Sequence, residues 1–257
     1  MLKVQNLIKH FGGIKAVNDC SLSVKPGTIT GLIGPNGAGK TTLFNLITGF
    51  YKPDSGDILF KDEKIDGLSP HKIFHKNLYR TFQISRELEM MTVLENLMLI
   101  PPRQTGELIW NSLFRPNVVR KEEKEIQKQA MEVLKFIELD HLKDEYAKNL
   151  SGGQKKLLEL ARTMMAKPDM VLLDEPGAGI NPTLMKKLAR DIENLSQQME
   201  TTFFLIEHDM DLVMSLCNPV IVMSTGTKLA EGPPGEIKRN DEVIEAYLGG
   251  GEVVDYS

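Results

Sequence analysis

The sequence predicts an α/β protein, with a mixed or parallel sheet covered by helices, an N-terminal antiparallel β layer and a helical insert between them along the chain. Three observations predict it. After residue 150, short apolar runs at 170–173, 203–206 and 220–223 alternate with amphipathic segments carrying first Leu157, Leu158, Ala161 and Met164, then Leu184, Leu188, Ile192 and Leu195. Apolar strands interleaved with amphipathic helices mark a parallel sheet buried on both faces. Residues 1–60 carry β-rich runs at 2–7, 22–24, 29–33 and 58–60, broken by turn signals such as Phe11-Gly12-Gly13 and Lys25-Pro26-Gly27, the pattern of a small antiparallel layer. From about residue 70 to 150 strand runs disappear and charge rises, so this stretch reads as a helical insert with a loop-rich interruption at Pro101-Pro102 and residues 110–116.

The individual elements follow from local pattern. A helix opens after Gly39, buries Leu43, Phe44, Leu46 and Ile47, and stops at Gly49. In the insert, Ile126, Ala130, Val133, Leu134 and Ile137 form one apolar stripe on a helix whose charged run at 120–128 is a solvated face. The thirteen Met residues fall at core-facing or scattered positions and read as filler. The tail from Gly249 to Ser257 reads as loosely held.

Composition narrows the function. The chain has 257 residues, 41% hydrophobic and 26% charged, which excludes disordered and fibrous classes. A net charge of −4, with no Lys/Arg stripe, argues against a nucleic-acid surface. No apolar run approaches a membrane span and no signal-peptide core stands at the N-terminus, so the expected location is the cytoplasm. Cys20 and Cys217 are too few and too far apart for a metal motif and read as packed or idle thiols.

Gly34-Pro35-Asn36-Gly37-Ala38-Gly39-Lys40-Thr41 fits the pattern G-x-x-x-x-G-K-[ST], directly after a strand and directly before a helix. Its backbone N–H groups turn inward around phosphate oxygens, helped by the positive end of the helix. Asn36, Gly37, Ala38, Gly39, Lys40, Thr41 and Thr42 are therefore candidate nucleotide contacts. Lys40 would reach the β and γ phosphates, and the Thr41 hydroxyl would face Mg²⁺. Met170-Val171-Leu172-Leu173-Asp174-Glu175 supplies an acid pair at the end of a buried strand that can lie beside the strand feeding the loop. Asp174 would hold the Mg²⁺ shell, and Glu175 would take the proton of the attacking water.

Five further elements stand in one order: Phe11; Gln83 in Arg80-Thr81-Phe82-Gln83; Leu150-Ser151-Gly152-Gly153-Gln154; Gly179-Ile180-Asn181; and His208 in Ile206-Glu207-His208-Asp209. With the phosphate loop and the acid pair, they make the chain resemble ABC transporter ATPase subunits along nearly its whole length. The resemblance implies a P-loop NTPase fold with a RecA-like ATP-binding core at 1–85 and 168–257 and a helical subdomain at 86–167. It implies ATP and Mg²⁺ as cofactors. Phe11 would stack on adenine, with Val17 lining the same side. Gln83 would approach both Mg²⁺ and the attacking water. His208 would contact the γ-phosphate, and Gln83, Glu175 and His208 make up the implied catalytic set.

Ser151, Gly152, Gly153 and Gln154 match the family signature, which contacts ATP held by a second ATPase subunit, a copy or a paralogue, in a head-to-tail dimer. Integral membrane permease subunits and, indirectly, a solute-binding protein are the implied partners, and the cytoplasmic face of the plasma membrane is the implied location. Asn181 departs from the Asp found in many relatives. Leu78 to Gln83, Met91 to Asn96 and Ala178 to Pro182 look like the longer ATPase paralogue of branched-chain amino acid importers. Urea, amide and other amino acid importers use very similar ATPases, and a soluble ABC ATPase without a permease is the further alternative. Intact Asp174, Glu175 and His208 speak against a non-hydrolysing regulator.

Overall fold

The computed structural model describes residues 1–81, 88–102 and 104–248. In chain order the strands are β1 (Leu2–Phe11), β2 (Ile14–Val24), β3 (Ile29–Ile33), β4 (Ser55–Phe60), β5 (Glu63–Lys64), β6 (Leu78–Arg80), β7 (Met170–Asp174), β8 (Thr202–Ile206), β9 (Val220–Ser224) and β10 (Thr227–Gly232). The helices are α1 (Lys40–Ile47), α2 (Pro70–Phe74), α3 (Val93–Met98), α4 (Ile109–Phe114), α5 (Pro116–Phe136), α6 (Gly152–Met165), α7 (Pro182–Met199), α8 (Met210–Leu216), α9 (Pro234–Ile237) and α10 (Asp241–Leu248). They fall into two compact units. One comprises Met1–Arg80, Asp169–Gly177 and Met185–Ser257, the other Thr81–Pro168 and Ala178–Leu184.

The first unit holds both sheets. An antiparallel sheet runs β2-β1-β4-β5. A second sheet runs β10-β9-β3-β8-β7-β6, parallel from β9 to β6 with β10 antiparallel on its edge. Strands β3, β7 and β8 are buried at every position, as their unbroken apolar runs require. The apolar face of α1 (Leu43, Phe44, Leu46, Ile47) joins Leu2, Leu7, Val17, Ile58 and Phe204 in one core.

In the second unit α5 buries Ile126, Ala130 and Leu134, the expected stripe, and α6 buries Leu157, Leu158 and Ala161. Capping boxes set two helix starts there. Thr92 and Glu95 exchange side chain and backbone bonds at α3, and Ser151 and Gln154 do the same at α6.

Four sequence expectations need correction. Residues 29–33 join the parallel sheet rather than the antiparallel layer, because one short apolar run does not reveal its partner. A strand does occur between residues 70 and 150: β6, whose three residues are too few to show a period, pairs with β7. Strand β7 does not lie beside β3; β8 stands between them. Residues 110–116 are largely helical, since Pro116 sits in the first turn of α5, where its missing N–H costs nothing. The tail from residue 249 lies outside the described residues.

Candidate nucleotide site

The phosphate loop bridges β3 and α1. Gly39 caps α1 with φ +96°, and a Cβ there would come within 2.2 Å of the Ala16 carbonyl oxygen, so the turn admits glycine alone. Asn36 and Gly37 are exposed at the loop's crest and Ala38 is buried below it. Thr41 is exposed in the first turn of α1, followed by half-buried Thr42. Lys40 is buried, and its ammonium donates to the carbonyl oxygens of Gly34 (2.7 Å) and Pro35 (3.0 Å). Burial pushes its pKa down, while the negative charges of Glu175 and Asp174 pull it back up. The lysine thus lies in the field of both carboxylates without bonding either.

Asp174 ends β7 at 3% exposure. Its Oδ2 accepts from Arg80 Nη2 at 2.7 Å, whereas Oδ1 is buried without a hydrogen-bond partner. A buried carboxylate oxygen without a donor is costly unless a cation faces it, so the residue fits a divalent metal. Among the described residues no cluster of three His, Cys, Asp or Glu could hold a metal alone.

Glu175 follows in the left-handed region at φ +51°, an uncommon conformation for a residue other than glycine. Its Oε1 lies 2.9 Å from His208 Nε2. With the carboxylate as acceptor, the tautomer that carries its proton on Nε2 completes this bond. His208 itself is exposed and follows β8.

The residue between β8 and His208 escaped the sequence reading. Glu207 is 4% exposed, and its two oxygens accept the backbone N–H of Gly177 (2.6 Å) and of His208 (3.0 Å). It fastens the loop after Glu175 to the backbone of the histidine that Glu175 meets. A Glu directly after the apolar run at 203–206 and next to the motif histidine was the available signal. Tyr51 was missed as well: its ring meets Phe11 edge-on at 5.2 Å, and both are about 40% exposed. Together they form a shelf able to take a planar base. Val17 is wholly buried and offers that shelf no surface.

Gln83 lies outside the described residues. In the second unit Ser151 and Gly152 are exposed and Gly153 is buried, with Ser151 capping α6. Asn181 caps α7 by accepting from the Leu184 N–H at 2.9 Å, a duty that Asn performs as well as Asp. On the first unit α10 reaches the phosphate loop. The Tyr247 hydroxyl approaches the Gly34 backbone, and a cavity of about 500 Å³ lies between Asn36, Gly37, Thr225, Glu242 and Glu245.

A parallel strand that feeds a glycine-rich cradle, with a metal-ready carboxylate two strands along, defines a P-loop nucleotide-binding ATPase. Comparison with known proteins narrows the class. The model of the family described as ABC transporter matches residues 17–178. A second, described as branched-chain amino acid ATP-binding cassette transporter, matches residues 227–253. The chain belongs to the ABC transporter family, as an ATP-hydrolysing subunit.

It is similar to the probable branched-chain amino acid transport ATP-binding protein LivG of Archaeoglobus fulgidus, 44% identical over 97% of this chain and 95% of that one. It is also 42% identical to the high-affinity branched-chain amino acid transport ATP-binding proteins LivG of Escherichia coli and BraF of Pseudomonas aeruginosa, covering 97% of this chain and 98% of each. Among solved structures it is similar to a nucleotide-free ATP-binding cassette from an ABC transporter. The TM-score is 0.80 at 40% identity, covering 96% and 98% of the two chains. An ABC transporter cassette in its ADP conformation gives a TM-score of 0.82 at 38% identity, over 97% and 98%.

Proposed function

We propose that this chain powers an importer of branched-chain amino acids, as one of two ATPase subunits that face each other head to tail on permease subunits at the cytoplasmic face of the membrane, with a solute-binding protein delivering the cargo. The observation that carries the reading is the agreement of near-full-length relatives of that name with the separate branched-chain match at residues 227–253. No helix among the described residues is long and apolar enough to cross a membrane, so attachment would come through the permease.

The proposed division of labour is an ATP-binding core at 1–85 and 168–257 and a helical subdomain at 86–167. Phe11 stacks on adenine. Backbone amides of residues 36–42 and the Lys40 ammonium hold the phosphates, Lys40 exchanging loop carbonyls for phosphate oxygens. Thr41 and Asp174 Oδ1, together with Gln83, would hold Mg²⁺, which would supply positive charge against the negative phosphate oxygens. Glu175 accepts the proton of the water that attacks the γ-phosphorus as ADP leaves. His208 holds Glu175 through its Nε2–H before ATP binds and turns that N–H to the transferring phosphoryl group once the nucleotide is in place. Ser151, Gly152, Gly153 and Gln154 present a helix N-terminus to the partner's γ-phosphate, so each closed pocket takes residues from two subunits. Hydrolysis removes that bridge and lets the pair reopen.

The test is to isolate the assembly from native membranes and identify the ligand on its solute-binding component. Recovery with permease subunits and bound leucine, isoleucine or valine is expected. Recovery without an integral membrane protein, or with urea or an amide as ligand, would overturn the reading.

A further inference from the structure

The guanidinium of Arg80 sits where two parts of the nucleotide site meet. Arg80 ends β6 and is the last residue of the first unit before the chain passes into the second. Its side chain is 7% exposed and lies 5.9 Å from the ring centroids of both Phe44 and Phe50. Nη2 donates to Asp174 Oδ2 at 2.7 Å, and Nη1 donates to Asn45 Oδ1 at 2.6 Å and Thr48 Oγ1 at 3.3 Å. Asn45 and Thr48 stand at i+4 and i+7 from Thr41, one above the other on a single face of α1. The same planar group thus grips the face of α1 that carries the Thr41 hydroxyl and the carboxylate that ends β7. Taking up Oδ2 also leaves Oδ1 of Asp174 as the only oxygen of that carboxylate with no donor.

We propose that Arg80 is the positioning residue of the metal site: it fixes the spacing between the Thr41 hydroxyl and Asp174 and turns a single carboxylate oxygen toward the cation. The proposal rests on the assignment of Thr41 and Asp174 to Mg²⁺ made above. Rigid bidentate geometry is what the role demands. A guanidinium can bond two elements at once from one plane, whereas a lysine ammonium at the same place supplies the charge without the fork. Partners that orient a metal ligand from behind matter nearly as much as the ligand, and losing one typically weakens metal binding about 10–100-fold.

The test uses the full chain and a fluorescent ATP analogue, with binding followed as free Mg²⁺ is raised against a chelator. In Arg80→Lys the Mg²⁺ midpoint should rise about tenfold or more, while affinity for the analogue without metal stays at the parent value. A midpoint that is unchanged or lower overturns the proposal, the lower value meaning that Arg80 merely competes with the cation. If Arg80→Lys fails to fold by circular dichroism, Asn45→Ala decides: it removes one arm of the grip and should raise the midpoint in the same direction, and no rise overturns the proposal. Asp174→Asn separates the two levels. A midpoint it does not move overturns the metal assignment and the proposal together; one that moves with Asp174→Asn but not with Arg80→Lys or Asn45→Ala overturns the proposal alone.

Discussion

Replacing Glu207 with Gln separates two opposing effects of a buried carboxylate. In the parent, both oxygens accept backbone N–H groups, from Gly177 at 2.6 Å and His208 at 3.0 Å, at 4% exposure. The amide keeps the shape but turns one acceptor into a donor, so one N–H then faces N–H and goes unsatisfied. Losing a hydrogen bond to a charged acceptor costs about 1.5–3 kcal/mol. Against this, the variant no longer buries an ionised group. Two short bonds to backbone donors offset that burial in the parent, so the loss wins, by about 2 kcal/mol. For a chain of this size that lowers Tm by about 4–8 °C.

Because the two N–H groups belong to the loop after Glu175 and to His208, turnover should fall as well, with ATP binding retained. Thermal unfolding by circular dichroism and a phosphate-release assay read the two effects. A Tm equal to or above the parent's would show that desolvation dominates and would refute the reasoning.

Glu175→Gln keeps the shape of the base without its proton affinity; phosphate release should drop about 10²–10⁴-fold while ATP binding persists, and an undiminished rate would refute the assignment. Ser151→Ala removes half of the capping box on α6, costing about 1 kcal/mol, and should lower turnover without weakening ATP binding. Gly153→Ala should do the same more severely, since a Cβ there would lie 1.7 Å from Leu184 Cδ2; normal turnover in both variants would count against the signature role. Burial pushes the thiols of Cys20 and Cys217 up to about 11 and about 12. Raised pKa values deplete the thiolate at pH 8, so iodoacetamide should spare both in the native chain and label both in denaturant; rapid native labelling would contradict this.

The sequence showed most clearly what short-range chemistry dictates. The phosphate loop, the acid pair and the helix stripe through Ile126, Ala130 and Leu134 are written in contiguous or periodic residues. Sheet order is not: β3 and β7 are both plain apolar runs, and nothing in either says that β8 inserts between them. β6 went unseen because three residues carry no period. The site residues added by the structure share one property. Arg80, Glu207 and Tyr51 act through partners 94, 30 and 40 positions away, respectively Asp174, Gly177 and Phe11, and pairing across such distances follows from the fold rather than from spacing. Val17 shows the converse: the family resemblance implied a place beside the adenine, but on β2 it is wholly buried in the core.

The central claim is that one chain owns only part of each working pocket and a second must complete it. Phosphate release measured across a dilution series of the purified chain, at saturating ATP and Mg²⁺, tests this directly. Specific activity should fall steeply on dilution, with the rate following the square of chain concentration at the low end. A specific activity constant down to concentrations at which the chain is monomeric by sedimentation would contradict the account.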